Sequence, residues 1–140
     1  MKYLIDTNVL SEARRPGGHP RVRELLSSLD ERDLYLSVIT IGEIVHGIDR
    51  LAPGEKRETL THWLAQLEPH FADRILPIDL SIARRWGELT AKASQSGRTL
   101  HPADGLIAAT ALEHGLTIMT RNKSDFVPTD ARVLDPTAHG

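Results

Sequence analysis

Four carboxylates have settings that suit chemistry: Asp6, Glu43, Asp104 and Asp125. Asp6 ends the apolar run Tyr3-Leu4-Ile5 and opens Asp6-Thr7-Asn8. An acid at the carboxyl end of a buried strand sits where open α/β sheets hold their ligands. The other three acids lie where a fold of that kind can bring them to the same edge. Converging carboxylates repel one another and their pKa values rise; a divalent cation reverses that penalty. A donor set made only of oxygen selects a hard ion, Mg²⁺ with Mn²⁺ as the alternative, rather than zinc. Such an ion keeps several waters, and one of them can attack a phosphodiester while the metal neutralises the phosphate. The expected chemistry is hydrolysis of a phosphodiester, with RNA the preferred substrate. Four acids also suit two metals about 3.5–4 Å apart, so the number of ions stays open.

Each acid has a plainer role to weigh. Asp6 precedes a helix and suits its N-cap. Thr40-Ile41-Gly42-Glu43 fits the capping box, in which Glu43 reaches back to the Thr40 amide. Asp104 lies in a first helical turn, where the dipole favours an acid. Asp125 suits an Asx turn. Asp104 is the most informative of the four. It shares a helical stripe with Ile107, Ala108 and Ala111, and a carboxylate on a core-facing stripe is costly unless something compensates it.

The elements that would position these acids follow from periodicity. Strands are expected at Tyr3-Leu4-Ile5, Leu34 to Ile39, Ile75 to Ile78, Leu116 to Met119 and Ala131 to Leu134. Pro77 cannot donate to a ladder, which puts the third strand at an edge. Between them come helices. A short one covers Asn8 to Ala13, and another opens at Pro20 with Val22, Leu25, Leu26 and Leu29 on one face. A third starts at Thr40. A longer one starts at Glu55 and buries Leu60, Trp63, Leu64 and Leu67. Asp79 caps the next, whose core side reads Ile82, Ala83, Trp86, Leu89 and Ala93. The last runs from Pro102 to His114, with proline at its first position and Gly115 after its end. Strands alternating with helices indicate one α/β domain over residues 1–140, a parallel sheet covered on both faces. The core is expected to span about 1–135, with a flexible tail over 136–140.

Composition narrows the function classes. Net charge is −2, with 17 Lys+Arg against 19 Asp+Glu, so there is no global nucleic-acid footprint. Any RNA contact must come from local clusters: Arg14-Arg15, Arg21 with Arg23, Arg84-Arg85, or Arg121 with Lys123. Cysteine is absent, which excludes disulfides, thiol nucleophiles and cysteine zinc sites. The 7 histidines are scattered, with no H-E-x-x-H pair. Neither a phosphate-binding G-x-x-x-x-G-K-[ST] loop nor a G-x-S-x-G elbow occurs. Asp6-Thr7-Asn8 has a superficial likeness to the D-x-D start of haloacid-dehalogenase-like phosphatases, but their second aspartate is Asn8 here. No apolar run approaches a signal peptide core or a membrane span. A cytoplasmic protein with no membrane contact is expected.

Four segments together resemble the PIN-domain family: Leu4-Ile5-Asp6-Thr7-Asn8-Val9-Leu10-Ser11-Glu12, Ser37 through Glu43, Ala103 through Ala111, and Thr120 through Phe126. Within that family the chain is most similar to VapC toxins of bacterial toxin–antitoxin pairs, in the FitB-like branch. The resemblance implies a five-stranded parallel sheet in order 3-2-1-4-5. It implies an Mg²⁺- or Mn²⁺-dependent endoribonuclease in which Asp6, Asp104 and Asp125 bind metal. Glu43 would ligate metal or orient the attacking water. Asn8, Thr120 and Asn122 would be supporting polar groups. It also implies a homodimer, a small antitoxin that blocks the site, and operator DNA contacted through the antitoxin. The alternative is a binding module of the same fold that acts through its antitoxin and DNA with little turnover. A metal-dependent phosphatase is a third option.

Overall fold

The computed structural model describes residues 1–138. In chain order the elements are β1 (Tyr3–Ile5), α1 (Thr7–Arg14), α2 (Pro20–Ser28), β2 (Leu34–Ser37), α3 (Val38–Asp49), α4 (Glu55–Phe71), β3 (Ile75–Leu76), α5 (Leu80–Gln95), α6 (Pro102–His114), β4 (Thr117–Met119) and β5 (Val133–Leu134). The strands form one parallel sheet in the order β3-β2-β1-β4-β5, as expected. The connections β1 to β2, β2 to β3 and β3 to β4 each contain two helices, the usual parallel crossover, and β4 to β5 is joined through a short 3-10 turn, Lys123–Phe126.

The short strands are mostly apolar because both faces of the sheet are covered. Alternation survives in where each side chain goes. Tyr3 and Ile5 join Leu34, Leu36 and Met119 in a core roofed by α1 to α4 through Val9, Val22, Ile44, Ile48 and Phe71. Leu4 and Ile118 point the other way, onto Ile82, Leu89, Ile107, Ala108 and Ala111 of α5 and α6. Gly105 lets α5 and α6 close tightly. A Cβ there would stand 2.8 Å from Cδ1 and 3.0 Å from Nε1 of Trp86.

Several boundaries differ from the sequence reading, each for a local reason. β2 stops at Ser37 rather than Ile39, because the Ser37 hydroxyl accepts from the Ile39 amide (3.0 Å) and caps α3. The capping box at Thr40 and Glu43 therefore does not form. Thr40 lies inside α3, and its buried hydroxyl oxygen has no hydrogen-bond partner. β3 keeps only Ile75–Leu76 and ends before Pro77, at the sheet edge. Ala83, expected in the core, is exposed on α5. Asp79 does cap α5, accepting from the Ile82 amide at 2.9 Å. The expected tail opens in a turn in which the Thr137 amide donates to Asp135 Oδ1 (2.8 Å) and Pro136 is buried. Residues 139–140 of that tail lie outside the described residues. Among the described residues no helix is long and apolar enough to cross a membrane.

Candidate metal centre

The register of β1 against β4 builds the centre. Ile5 pairs with Met119, and the next residues, Asp6 and Thr120, emerge side by side at the carboxyl edge. The Asp6 amide closes the ladder onto the Met119 carbonyl (2.9 Å), and the Thr120 amide does the same onto Leu134 (3.0 Å). Asp6 fills the N-cap role and stands at the carboxyl edge of the sheet. Its Oδ1 accepts from the Thr7 amide (2.9 Å) and caps α1. Its Oδ2 accepts from the Thr120 hydroxyl (2.9 Å) and from Asn8 Nδ2 (3.1 Å). Burial pushes the Asp6 pKa up, and the bonds from Thr120, Thr7 and Asn8 only partly oppose it.

Asn8 is the cross-brace between the two strand ends. Its Nδ2 also donates to Thr120 Oγ1 (3.1 Å), and its Oδ1 accepts from the Arg121 amide (3.0 Å). Thr120 is fully buried and in turn accepts from the Asn122 amide (3.1 Å). Asn122 thus contributes through its backbone; its side chain makes no hydrogen bond among the described residues. Glu43 approaches from α3, where its Oε1 accepts from the Thr7 hydroxyl at 2.7 Å.

Asp104 is held differently. It stands half-buried in the first turn of α6 and accepts no hydrogen bond among the described residues. Its pKa is pushed up to about 6, first by burial, then by the charges of Asp125 and Asp6, with Glu43 adding to the rise and His101 opposing it. Asp125 sits in the short 3-10 turn Lys123–Phe126, which the buried Phe126 ring anchors. Its carboxylate also raises Asp6. All four acids therefore act on one field, and Asp104 feels the other three.

The arrangement is loose. Among the described residues no three acids or histidines are gathered tightly enough to hold an ion directly as they stand. The donor chemistry nonetheless suits a hydrated hard cation. Mg²⁺ takes one or two carboxylates and keeps its waters, and here Asp104 and Asp125 leave their oxygens unpaired. A cleft of about 650 Å³ lies along α4 between Pro53 and Ala65 and includes none of the four acids.

Two features escaped the sequence reading. Thr7 orients Glu43, and nothing in its type or position sets it apart in advance. Glu12 is a fifth acid, 7% exposed at the end of α1. Its Oε1 accepts from the His19 amide (2.7 Å), and its Oε2 meets Arg15 (2.5 Å) and Arg121 (2.9 Å). The His19 amide bond is the main reason its pKa is lowered. The signal was present: Glu12 interrupts the apolar face of α1 just before Arg14-Arg15 and Gly17-Gly18. Gly18 has to be small, because a Cβ there would fall 2.0 Å from the Glu12 carbonyl oxygen.

An open parallel α/β sheet with carboxylates clustered at its carboxyl edge defines the class of fold. The model of the PIN domain family matches residues 3–130, and the chain belongs to that family. It is 42% identical to toxin FitB of Neisseria gonorrhoeae over 95% of this chain and 96% of that protein. It is 34% identical to VapC ribonuclease Y4jK of Sinorhizobium fredii, with the same shares, 95% and 96%, covered. Among solved structures, FitAB bound to an IR36 DNA fragment superimposes with a TM-score of 0.92 at 39% identity, covering 99% of this chain and 97% of that one.

Proposed function

We propose that this chain is the toxin of a toxin–antitoxin pair and acts as an endoribonuclease dependent on Mg²⁺, with Mn²⁺ as a substitute. The observation that carries the reading is the meeting of Asp6, Glu43, Asp104 and Asp125 at the carboxyl edge of the sheet, where Asp6 and Thr120 leave adjacent strands, Thr7 ties Glu43 to that end, and Asp104 feels the charge of the other three. A site that raises the energy of its own carboxylates is built to be completed by a cation. The relatives support the substrate class, since Y4jK is named a VapC ribonuclease.

Asp6, Asp104 and Asp125 would hold the ion, which when bound supplies charge neutralisation at the phosphate and an acidified water. The chain does the rest. Thr7, Asn8 and Thr120 fix both oxygens of Asp6, so one ligand is set before any ion arrives. Glu43 has Oε1 on the Thr7 hydroxyl. Its other oxygen is open to orient the attacking water and accept its proton. As the new P–O bond forms, the bond to the leaving oxygen breaks and the RNA strand is cut.

The partner we infer is a small antitoxin that covers the acids and carries the operator contact, with the toxin paired as a homodimer in the cytoplasm. The FitAB complex bound to DNA supports that assembly. It also favours the second reading, a binding module with little turnover, for which the looseness of the acids is the structural argument. The test is cleavage of mixed transfer and ribosomal RNA by antitoxin-free protein with Mg²⁺, Mn²⁺ or EDTA, beside Asp6→Asn. Discrete metal-dependent cuts that vanish in the variant are expected. Folded protein that never cuts, or a variant that cuts undiminished, overturns the assignment.

A further inference from the structure

A polyanion approaching four carboxylates needs fixed positive charge beside them. The sequence offered four basic clusters, and the structure puts most of them to other uses. The Arg14 guanidinium lies over the Trp63 ring at 5.7 Å. Arg23 donates to the Arg15 carbonyl. Arg85 pairs with Glu113 at 2.9 Å. Arg15 and Arg121 are different. They come from two clusters far apart in sequence, and both guanidinium groups converge on one oxygen, Glu12 Oε2.

That oxygen belongs to a buried carboxylate whose other oxygen is fixed by the His19 amide. Each guanidinium carries five N–H donors; Arg15 donates one to Glu12, and Arg121 is ion-paired with the same oxygen. Within the cluster two positive charges meet one carboxylate, and beyond it the charge of Arg121 reaches Asp135, whose pKa it helps to lower. The shared carboxylate holds both guanidinium groups together, which lessens what a ligand must arrange. They line a cleft of about 460 Å³ with Asn8, Ser11, Glu12 and Asn122. The cleft runs directly into the acid site, because Asn8 lines it and also bonds Asp6.

We propose that this cleft is a subsite for a backbone phosphate of the RNA strand, next to the phosphate being cut. Arg15 and Arg121 bind the phosphate oxygens. Ser11 and the free amide of Asn122 supply neutral donors. Glu12 is the positioning residue that aims both guanidinium groups. The subsite presupposes the ribonuclease reading, and the test separates the two.

The measurement is the dissociation constant of labelled mixed transfer RNA in EDTA, across salt from about 50 to about 200 mM, in an Asp104→Asn background. Arg15→Gln and Arg121→Gln should each weaken binding roughly tenfold, as for a lost charged hydrogen bond. Each should also flatten the salt dependence by about 0.7 in the log–log slope. Arg32→Gln, which breaks a pair with Asp30 before the amino end of β2, should change neither. Ser11→Glu puts a carboxylate into the cleft while leaving the Glu12 contacts in place, and should weaken binding with an unchanged melting temperature. If the wild type cuts RNA but both arginine variants keep its slope, the subsite is wrong and the nuclease stands. If only Arg121→Gln acts, with a lowered melting temperature, the cluster is a brace and the subsite is again wrong. If wild type neither cuts nor binds RNA, the ribonuclease reading fails and the subsite with it.

Discussion

Asp6 and Asp104 serve the same centre by opposite means. Every oxygen of Asp6 has a partner: the Thr7 amide on one, Thr120 and Asn8 on the other. Among the described residues Asp104 has none, and the packing of α6 places it. Both carboxyls are raised, and burial is the leading cause in each case. The difference lies in what opposes the rise. Hydrogen bonds moderate it at Asp6, whereas little but His101 does so at Asp104. One ligand is set by a polar network at the strand ends, the other by how closely two helices approach. The two should therefore fail to different mutations.

Breaking the network comes first, because it has the largest expected effect short of removing an acid. Asn8→Ala removes a donor to Asp6, a donor to Thr120 and the acceptor of the Arg121 amide. Activity should fall about 10–100-fold, the usual cost of losing a residue that orients a metal ligand. Metal affinity measured by titration should fall with it. Thr120→Val leaves the Asn8 bond to Asp6 intact and should cost less. A larger loss in Thr120→Val than in Asn8→Ala would mean that Asn8 is not the brace.

Breaking the packing is the counterpart for Asp104. In Gly105→Ala the new methyl meets Trp86 Cδ1 at 2.8 Å, so the Trp86 ring or α6 itself must shift. Overpacking of this kind costs about 1–3 kcal/mol, readable as a lowered urea midpoint. Asp104 is the neighbouring residue, so activity should drop several-fold in the fraction that remains folded. Trp86→Leu makes room and should restore activity in the double variant. Its own cost is softened because the buried Trp86 Nε1 has no hydrogen-bond partner to lose. A double variant no better than Gly105→Ala would show that helix spacing does not set Asp104.

This contrast also explains what could be read from the chain alone. The sheet order was legible through the family likeness, and the edge position of β3 through Pro77, which cannot donate to a ladder. That the four acids could meet was legible, because three of them lie after strands or at helix starts. The start of α3 was not. Thr40 and Glu43 spell a capping box, but Ser37 captures the Ile39 amide three residues earlier and wins by ending β2 first. Ala83 misled because alanine suits either face of a helix. Glu12 and Thr7 were missed because their partners, the His19 amide and Glu43, are distant in space until the chain folds. Tertiary hydrogen bonds leave no periodic trace.

The smallest effect sharpens the comparison through pH. The folded pKa of Asp104 is about 6, above its ordinary 3.8. Between those values the native state binds more protons than the unfolded chain, so stability falls as pH rises through that window. Below about 4 the penalty is absent; above about 6 it is complete. Because the carboxyl is only half-buried, solvent screening reduces the penalty to about 1 kcal/mol. In EDTA, wild type should show a higher urea midpoint near the acid end of the window than at neutrality. Asp104→Asn cannot ionise there and should lose most of that slope, gaining stability at neutral pH. The slope that persists belongs to Asp6, which is raised in the same direction. Added Mg²⁺ should flatten the wild-type slope by favouring the charged carboxylates, and should do less for Asp104→Asn. A slope equally steep in both proteins would place the unanswered charge elsewhere and remove the contrast between the two acids.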